Sequence, residues 1–184
     1  MDKSKIREYI RGIIDSIGED SSRSGLKKTP ERIADMYEKI FSANKKPLKD
    51  IFQFTHELKH DEMVVIRGIP FYSLCEHHMM PFFGKCHIGY IPKGNKIIGI
   101  GRMAELVHIM SSKLQLQERL TADIANLIMK ELKPKGAGVL IQARHLCLEM
   151  MSNQHTGTEI MTSAVRGSFR SDIKTREEFL KLIK

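Results

Sequence analysis

Tryptophan is absent from this chain of 184 residues, cysteine occurs three times, and aromatic residues make up 7% of the total. No apolar run approaches the roughly 20 residues that a bilayer-spanning helix needs. Each shortage excludes a class. Three irregularly spaced cysteines, Cys75, Cys86 and Cys147, rule out a disulfide-stapled secreted scaffold and fit a reducing compartment. The missing apolar run excludes a helical membrane protein. The opening MDKSKIREYIRGII mixes charge into every turn and lacks an apolar signal-peptide core, so a cytoplasmic protein is expected. There is no Cys-x-x-Cys pair, the usual mark of a closed structural zinc knuckle. Internal repeats and low-complexity tracts are also missing.

What is present is ordinary globular material: 41% hydrophobic and 28% charged residues, enough for a core in one domain or a small domain with an arm. Thirty Lys and Arg against 22 Asp and Glu give a net charge of +8, which raises the question of an anionic partner. The cations are dispersed, however. Pairs such as Lys27-Lys28 and Lys45-Lys46 fall in expected loops, and no basic stripe is interleaved with aromatics. A solvated surface is expected, with neither a nucleic acid nor a membrane as partner.

Periodicity orders the elements. Ile6, Ile10, Ile13, Ile14 and Ile17 recur at helical spacing over residues 1–17, and Gly18 ends that helix. Thr29-Pro30 reads as a cap and first helical position, followed by a buried face of Ile33, Met36, Tyr37 and Ile40. Residues 44–50 form a Lys- and Pro-bearing connector. Residues 1–48 are therefore expected as an N-terminal helical arm and residues 49–184 as the main domain. From Glu62 the texture changes to short β-branched runs: EMVVIRGI, KCHIGYI and KIIGI. Residues 101–132 return to helical period, with stripes of Met103, Leu106, Val107, Met110 and of Leu120, Ile124, Leu127, Ile128, Leu132. Residues 137–151 and 159–169 read as long strands, and 175–183 as a closing helix capped by Thr175. Helices, strands, helices, strands and helix, joined by short connections, predict an α+β fold: an antiparallel sheet with helices packed on one face.

The densest group of ligand-type side chains is Cys75-Glu76-His77-His78. A thiolate and imidazoles in four residues suit zinc. A second group is His145-Leu146-Cys147. In a strand, His145 and Cys147 project from one face, after Val139, Ile141 and Ala143. A buried cysteine beside a satisfied histidine is the alternative for either group alone; the two together favour a metal. Two cysteines and one histidine leave a fourth position for water, the catalytic pattern, and two further histidines stand by as proton carriers. Spacing does not choose between His77 and His78 as the ligand. Cys86 and His87 form a competing pair, but neighbours on a strand point to opposite faces. The His-x-Glu and Pro-Cys-x-x-Cys signature of zinc nucleobase deaminases is absent.

Several stretches in order resemble the GTP cyclohydrolase I family over nearly the whole length: RSGLKKTPERIADMY (23–37), SLCEHHMMPFFGKCHIGYIP (73–92), LQLQERLT (114–121), GAGVLIQARHLC (136–147) and TSAVRGSFR (162–170). The resemblance implies a tunnelling fold, in which sheets of neighbouring subunits join around a central tunnel. It also implies a homodecamer of two pentamers. It assigns Cys75, His78 and Cys147 as zinc ligands and His77 and His145 as catalytic. Glu118, with Gln117, falls where the family grips the guanine edge. A carboxylate suits that edge, since it accepts two adjacent N–H groups. The implied reaction is hydrolysis of GTP at C8 by zinc-activated water, with a histidine protonating N7. Ring opening, release of formate and closure of the sugar carbons into a pterin give 7,8-dihydroneopterin triphosphate, at the head of folate, other pterin or deazapurine pathways.

The chain departs from the family where the triphosphate is held. A Ser-Lys pair is replaced by Gly101-Arg102, so the hydroxyl is lost and Arg102 keeps the charge. Two arginine positions are occupied by Glu105 and Met151, and His155 and Glu159 also stand where cations are usual. The readings are therefore a zinc cyclohydrolase on GTP with a rearranged phosphate site, a paralogue acting on a different or less phosphorylated purine, and a non-catalytic zinc-binding assembly protein. Retention of Cys75, His77, His78, Glu118, His145 and Cys147 argues against the last.

Overall fold

The computed structural model describes residues 1–43, 47–52, 54–55, 60–94, 96–151 and 155–184, so part of the expected connector at 44–50 lies outside the described residues. The chain divides into two compact units, Met1–Lys45 and Lys46–Lys184.

The first unit is a helix pair. Helix α1, Lys3–Ser16, is capped by Asp2, whose carboxylate accepts from the Lys5 amide, and Gly18 follows it with φ of 87°. Its isoleucine stripe is covered unevenly: Ile14 is buried, whereas Ile13 and Ile17 are exposed. Helix α2, Thr29–Ser42, starts one residue earlier than Thr29 capping requires. Lys28 precedes it, no side chain caps it, and Pro30 sits buried in the first turn. Ala34 is fully buried and Met36 is exposed, so the buried face is narrower than its apolar spacing predicts. Lys3 Nζ ties the pair together through Asp35 at 2.7 Å and Glu38 at 2.8 Å.

The second unit is α+β. A short 3-10 turn, Leu48–Asp50, leads to β1, Phe54–Thr55. Then come β2 (Val64–Cys75), β3 (Pro81–Ile91) and β4 (Ile97–Ile98), the last paired with β1. Helix α3 (Ile100–Ser111) and α4 (Gln117–Leu132) flank β5 (Leu114–Gln115). Strand β6 (Gly136–His145), a helical turn α5 (Leu146–Glu149), β7 (Glu159–Gly167), a turn α6 (Ser168–Ser171) and α7 (Ile173–Leu182) complete it. The main sheet runs β5-β2-β3-β6-β7. Four of its strands are antiparallel neighbours as expected, but β5 pairs parallel to the end of β2, so the sheet is mixed. That pairing follows from the break in the 101–132 helical segment: the chain leaves α3 at Ser112, runs extended along Leu74 and Cys75, and re-enters a helix at Gln117.

Strand alternation decides what each face carries. Phe82, Cys86, Ile88, Tyr90, Val139, Ile141 and Ala143 point to one face and are essentially inaccessible. Over them lie α3, with Met103, Leu106 and Val107, and α4, with Leu120, Ile124, Ile128 and Leu132, all fully buried. Each such side chain contributes roughly 1.5–3 kcal/mol. The other face is partly covered by α6 and α7, where Phe169 and Phe179 pack on Leu140. Gly89 and Gly138 make that possible, because a Cβ on either would stand within 2.8 Å of an aromatic ring. Helix α7 is capped by the carboxylate of Asp172, not by Thr175: Asp172 accepts from the Lys174 and Thr175 amides and from the Thr175 hydroxyl. Among the described residues no helix is long and apolar enough to cross a membrane.

Candidate metal and catalytic site

The site forms where β2 and β6 end. At Cys75 the chain leaves β2 and closes a tight turn: the Met79 amide donates to the Cys75 carbonyl and the Cys75 amide to the Met80 carbonyl, each at 2.8 Å. Met79 takes a left-handed φ of 54°, which costs a residue with a Cβ about 1 kcal/mol or more and is held by those two bonds. The Glu76 amide donates to the Gln115 carbonyl, so β5 braces the same turn. Glu76 is gripped bidentately by Arg119 on α4, at 2.5 and 3.0 Å, and this guanidinium holds its carboxyl below the usual range. His77 and His78 project from the turn with their rings edge to face, centroids 6.1 Å apart.

Strand β6 stops at His145. The expected extension to residue 151 is wrong: Cys147 lies in the helical turn α5, not two residues along a strand. The inference that strand alternation puts His145 and Cys147 on one face therefore fails, although both reach the same cavity. The turn folds Cys147 back toward Cys75. The ligand atoms of Cys75, His78 and Cys147 all lie within 4.8 Å of one another, and both cysteines are buried. Of the two histidines that spacing leaves open, His78 lies with the two sulfurs in this group. Burial first, and then the adjoining Cys75 sulfur, raise the Cys147 thiol. Two neighbouring thiolates are costly without a cation between them, and a soft divalent metal relieves that cost. The donor set therefore fits zinc.

His145 stacks on Phe82, its cross-strand partner, with ring planes 10° apart and centroids at 4.6 Å. Its Nε2 stands 2.7 Å from Gln117 Oε1. Burial lowers its pKa, against an upward pull from Glu118. Gln117 is 1% exposed, and its amide nitrogen is engaged by the Ile141 and Ile160 carbonyls and the Thr162 hydroxyl. It was expected to touch substrate with Glu118; here its polar atoms are turned to the protein. Glu118 is exposed, in the first turn of α4, where the helix dipole favours a carboxylate. Together these groups line a cavity of about 230 Å3 that contains Cys75, His77, His78, Glu118, His145 and Cys147. Among the described residues no Lys or Arg lines it. Arg102 lies elsewhere, at the start of α3, bonded to Glu105 at 3.0 Å. A larger cavity, about 720 Å3, opens on the other sheet face against His87, Leu140 and Leu180; chemistry, not size, selects the site. Sequence reasoning missed Phe82, Arg119 and the inward turn of Gln117, because all three depend on pairings between strands or helices that are far apart in the chain.

Two soft thiols and an imidazole close enough to share one ion, with two further histidines and an acidic group in the same cavity, make a candidate metal site on an α+β scaffold. The comparisons narrow the class. The sequence profile of the family GTP cyclohydrolase I matches residues 6–184. The chain is 48% identical over 184 residues to GTP cyclohydrolase 1 of Aquifex aeolicus, covering 100% of this chain and 98% of that protein. It is 47% identical to that of a Hydrogenobaculum species, covering 100% and 99%. It is 44% identical over 183 residues to that of Caldanaerobacter subterraneus subsp. tengcongensis, covering 100% and 97%. The chain belongs to the GTP cyclohydrolase I family, a family of hydrolases, and its fold is of the α+β class expected from the sequence.

Proposed function

We propose that the protein is a zinc-dependent GTP cyclohydrolase that opens the guanine imidazole ring at C8, releases formate and yields 7,8-dihydroneopterin triphosphate. The observation that carries this reading is the convergence of Cys75, His78 and Cys147 in one cavity with His77, His145 and Glu118. Cys75, His78 and Cys147 would hold the zinc, which would supply a Lewis acid to make water nucleophilic at neutral pH. His77 and His145 move protons to and from the purine nitrogens and the departing formyl group. Glu118 accepts the N1 and N2 hydrogens of guanine and so orients C8 toward the metal. Phe82, beneath His145, keeps that ring in one plane. The working form is a homodecamer of two pentamers in the cytoplasm, with β7 and the open length of β2 as the edges through which subunits join.

A second reading favours a substrate with fewer phosphates. It rests on the Arg102–Glu105 pair and the exposed, uncharged Met151. Each lost arginine contact to phosphate removes roughly 1.5–3 kcal/mol. The test is metal analysis joined to incubation with GTP, GDP, GMP and guanosine, following formate and pterin fluorescence. Formate release from GTP with about one zinc per subunit is expected. Zinc-loaded protein that releases formate from none of the four overturns the cyclohydrolase reading.

A further inference from the structure

The side chain of Gln117 has an orientation that its surroundings dictate. Its Nε2 lies 2.9 Å from the Ile160 carbonyl and 3.1 Å from the Ile141 carbonyl. Carbonyl oxygens only accept. Turning the amide over would set its own oxygen against both, in a site that is 1% exposed, so the nitrogen faces the strands and Oε1 faces His145. The hydroxyls close the same network. Thr121 donates to the Gln117 main-chain carbonyl at 2.7 Å. With that hydrogen spent, the Thr162 hydroxyl is the donor in its 2.6 Å contact with Thr121, and it accepts from Gln117 Nε2 at 3.1 Å. The two hydrogens of Gln117 Nε2 are shared among these three acceptors, and its Oε1 carries none. His145 Nε2 faces, at 2.7 Å, an oxygen that carries no hydrogen. It must therefore hold the hydrogen itself.

We infer that Gln117 is a positioning residue that fixes His145 as the Nε2–H tautomer and leaves Nδ1 as the ring nitrogen that exchanges protons with the substrate. The second half of this statement rests on the reading of His145 as a proton carrier. The device has two parts: Phe82 sets the plane of the ring, with 10° between the two, and Gln117 sets which nitrogen is free. The position expected to bind guanine beside Glu118 thus serves the histidine, and Glu118 alone faces the base.

The test uses zinc-loaded protein labelled with 15N-histidine, sedimented and examined by solid-state NMR at a pH of about 8.5, above the ordinary imidazole range. The His145 signals, identified by their loss in His145→Asn, are expected to show a protonated Nε2 and a bare Nδ1. A wild-type spectrum with the hydrogen on Nδ1 overturns the assignment outright. Gln117→Met keeps the length and removes the acceptor. It should mix the tautomers and lower kcat about 10–100-fold with KM and zinc content held, the range for groups that orient a functional imidazole. Gln117→Glu, whose carboxylic acid form offers one acceptor and one donor, should recover the tautomer and most of kcat. Mixed tautomers in Gln117→Met with undiminished kcat overturn the catalytic half. A wild-type rate in His145→Ala instead removes the underlying reading of His145, while the NMR spectrum still decides the tautomer. Should Gln117→Met not fold, the wild-type spectrum and Gln117→Glu carry the decision.

Discussion

Cysteine stands near histidine in the middle of β3 and at the ends of β2 and β6, and among the described residues only the strand ends bring ligand atoms together. Cys86 and His87 lie in the middle of β3. Cys86 is paired across to Ile141 and fully buried among the residues under α3 and α4, while His87 faces the opposite side beside Leu140. Burial alone pushes the Cys86 thiol far up, so it is an inert core group. Burial also lowers the pKa of His87, with Lys85 and Arg67 adding to the effect. Cys75, His77 and His78 lie where β2 ends, and Cys147 lies just past the end of β6. The contrast is one of backbone freedom. Inside a strand the alternation separates neighbours by the thickness of the sheet. At a strand end the chain turns, and residues that the alternation would part are brought onto one point.

The largest expected effect comes from removing a ligand at the strand ends. Cys147→Ala and Cys75→Ala should take zinc from about one per subunit to none and abolish turnover, with the far-UV spectrum unchanged. Metal analysis by mass spectrometry checks this. Stoichiometric zinc in Cys147→Ala would erase the distinction between the two places.

Next come the histidines that share the cavity without belonging to the ligand set. His77→Ala and His145→Ala should keep zinc and the assembly and lose about 10²–10⁴-fold in kcat each, the usual contribution of a positioned acid or base. Steady-state kinetics on zinc-replete protein decides it. Loss of zinc in His77→Ala would mean that the turn, and not His78 alone, supplies the nitrogen ligand.

A smaller effect is expected at the phosphate positions, which lie outside the cavity. Glu105 pairs with Arg102 and reduces its charge as seen by an anion. Glu105→Arg with Met151→Arg should raise kcat/KM for GTP relative to GMP by about tenfold or more, equivalent to roughly 1.4 kcal/mol of transition-state binding. A wild-type enzyme that already prefers GTP by more than about 10²-fold would show that other cations grip the triphosphate.

How far the sequence anticipates this arrangement follows from the range of each signal. Local signals hold. The stripes of α3 and α4 are buried as their spacing predicts, apart from the half-buried Leu127, and the alternation of β3 and β6 orders the core. Signals that need a partner fail. Thr175 has the right chemistry for a cap, but Asp172 stands where the chain enters α7 and binds the amides first. Cys147 reads as strand because HLCLEM is apolar and β-compatible, yet the turn α5 takes over as the pairing with β7 ends at Arg144 and Glu159. Gln117 looks like a partner for Glu118 because the two are adjacent, while helical geometry sends one inward to the sheet and the other outward. Spacing alone cannot separate His77 from His78; the fold places His78 with the two sulfurs.

The smallest expected effect tests the comparison from its inert side. Cys86 has the same chemistry as Cys75 and lies on the adjoining strand. If thiol proximity were enough, removing it should disturb the metal. The geometry gives a different answer: the Cys86 sulfur points into a packed apolar layer, and it is absent from the cluster that joins Cys75, His78 and Cys147. Cys86→Ala deletes one buried sulfur and leaves a small void, so it should cost about 1–2 kcal/mol of stability. Zinc content and kcat/KM should stay within about twofold of wild type, a difference below roughly 0.4 kcal/mol. Denaturant unfolding read beside metal analysis on the same preparation separates the two quantities. Reduced zinc at full folding would mean that the core of β3 communicates with the strand-end site, and the separation argued from strand alternation would be lost.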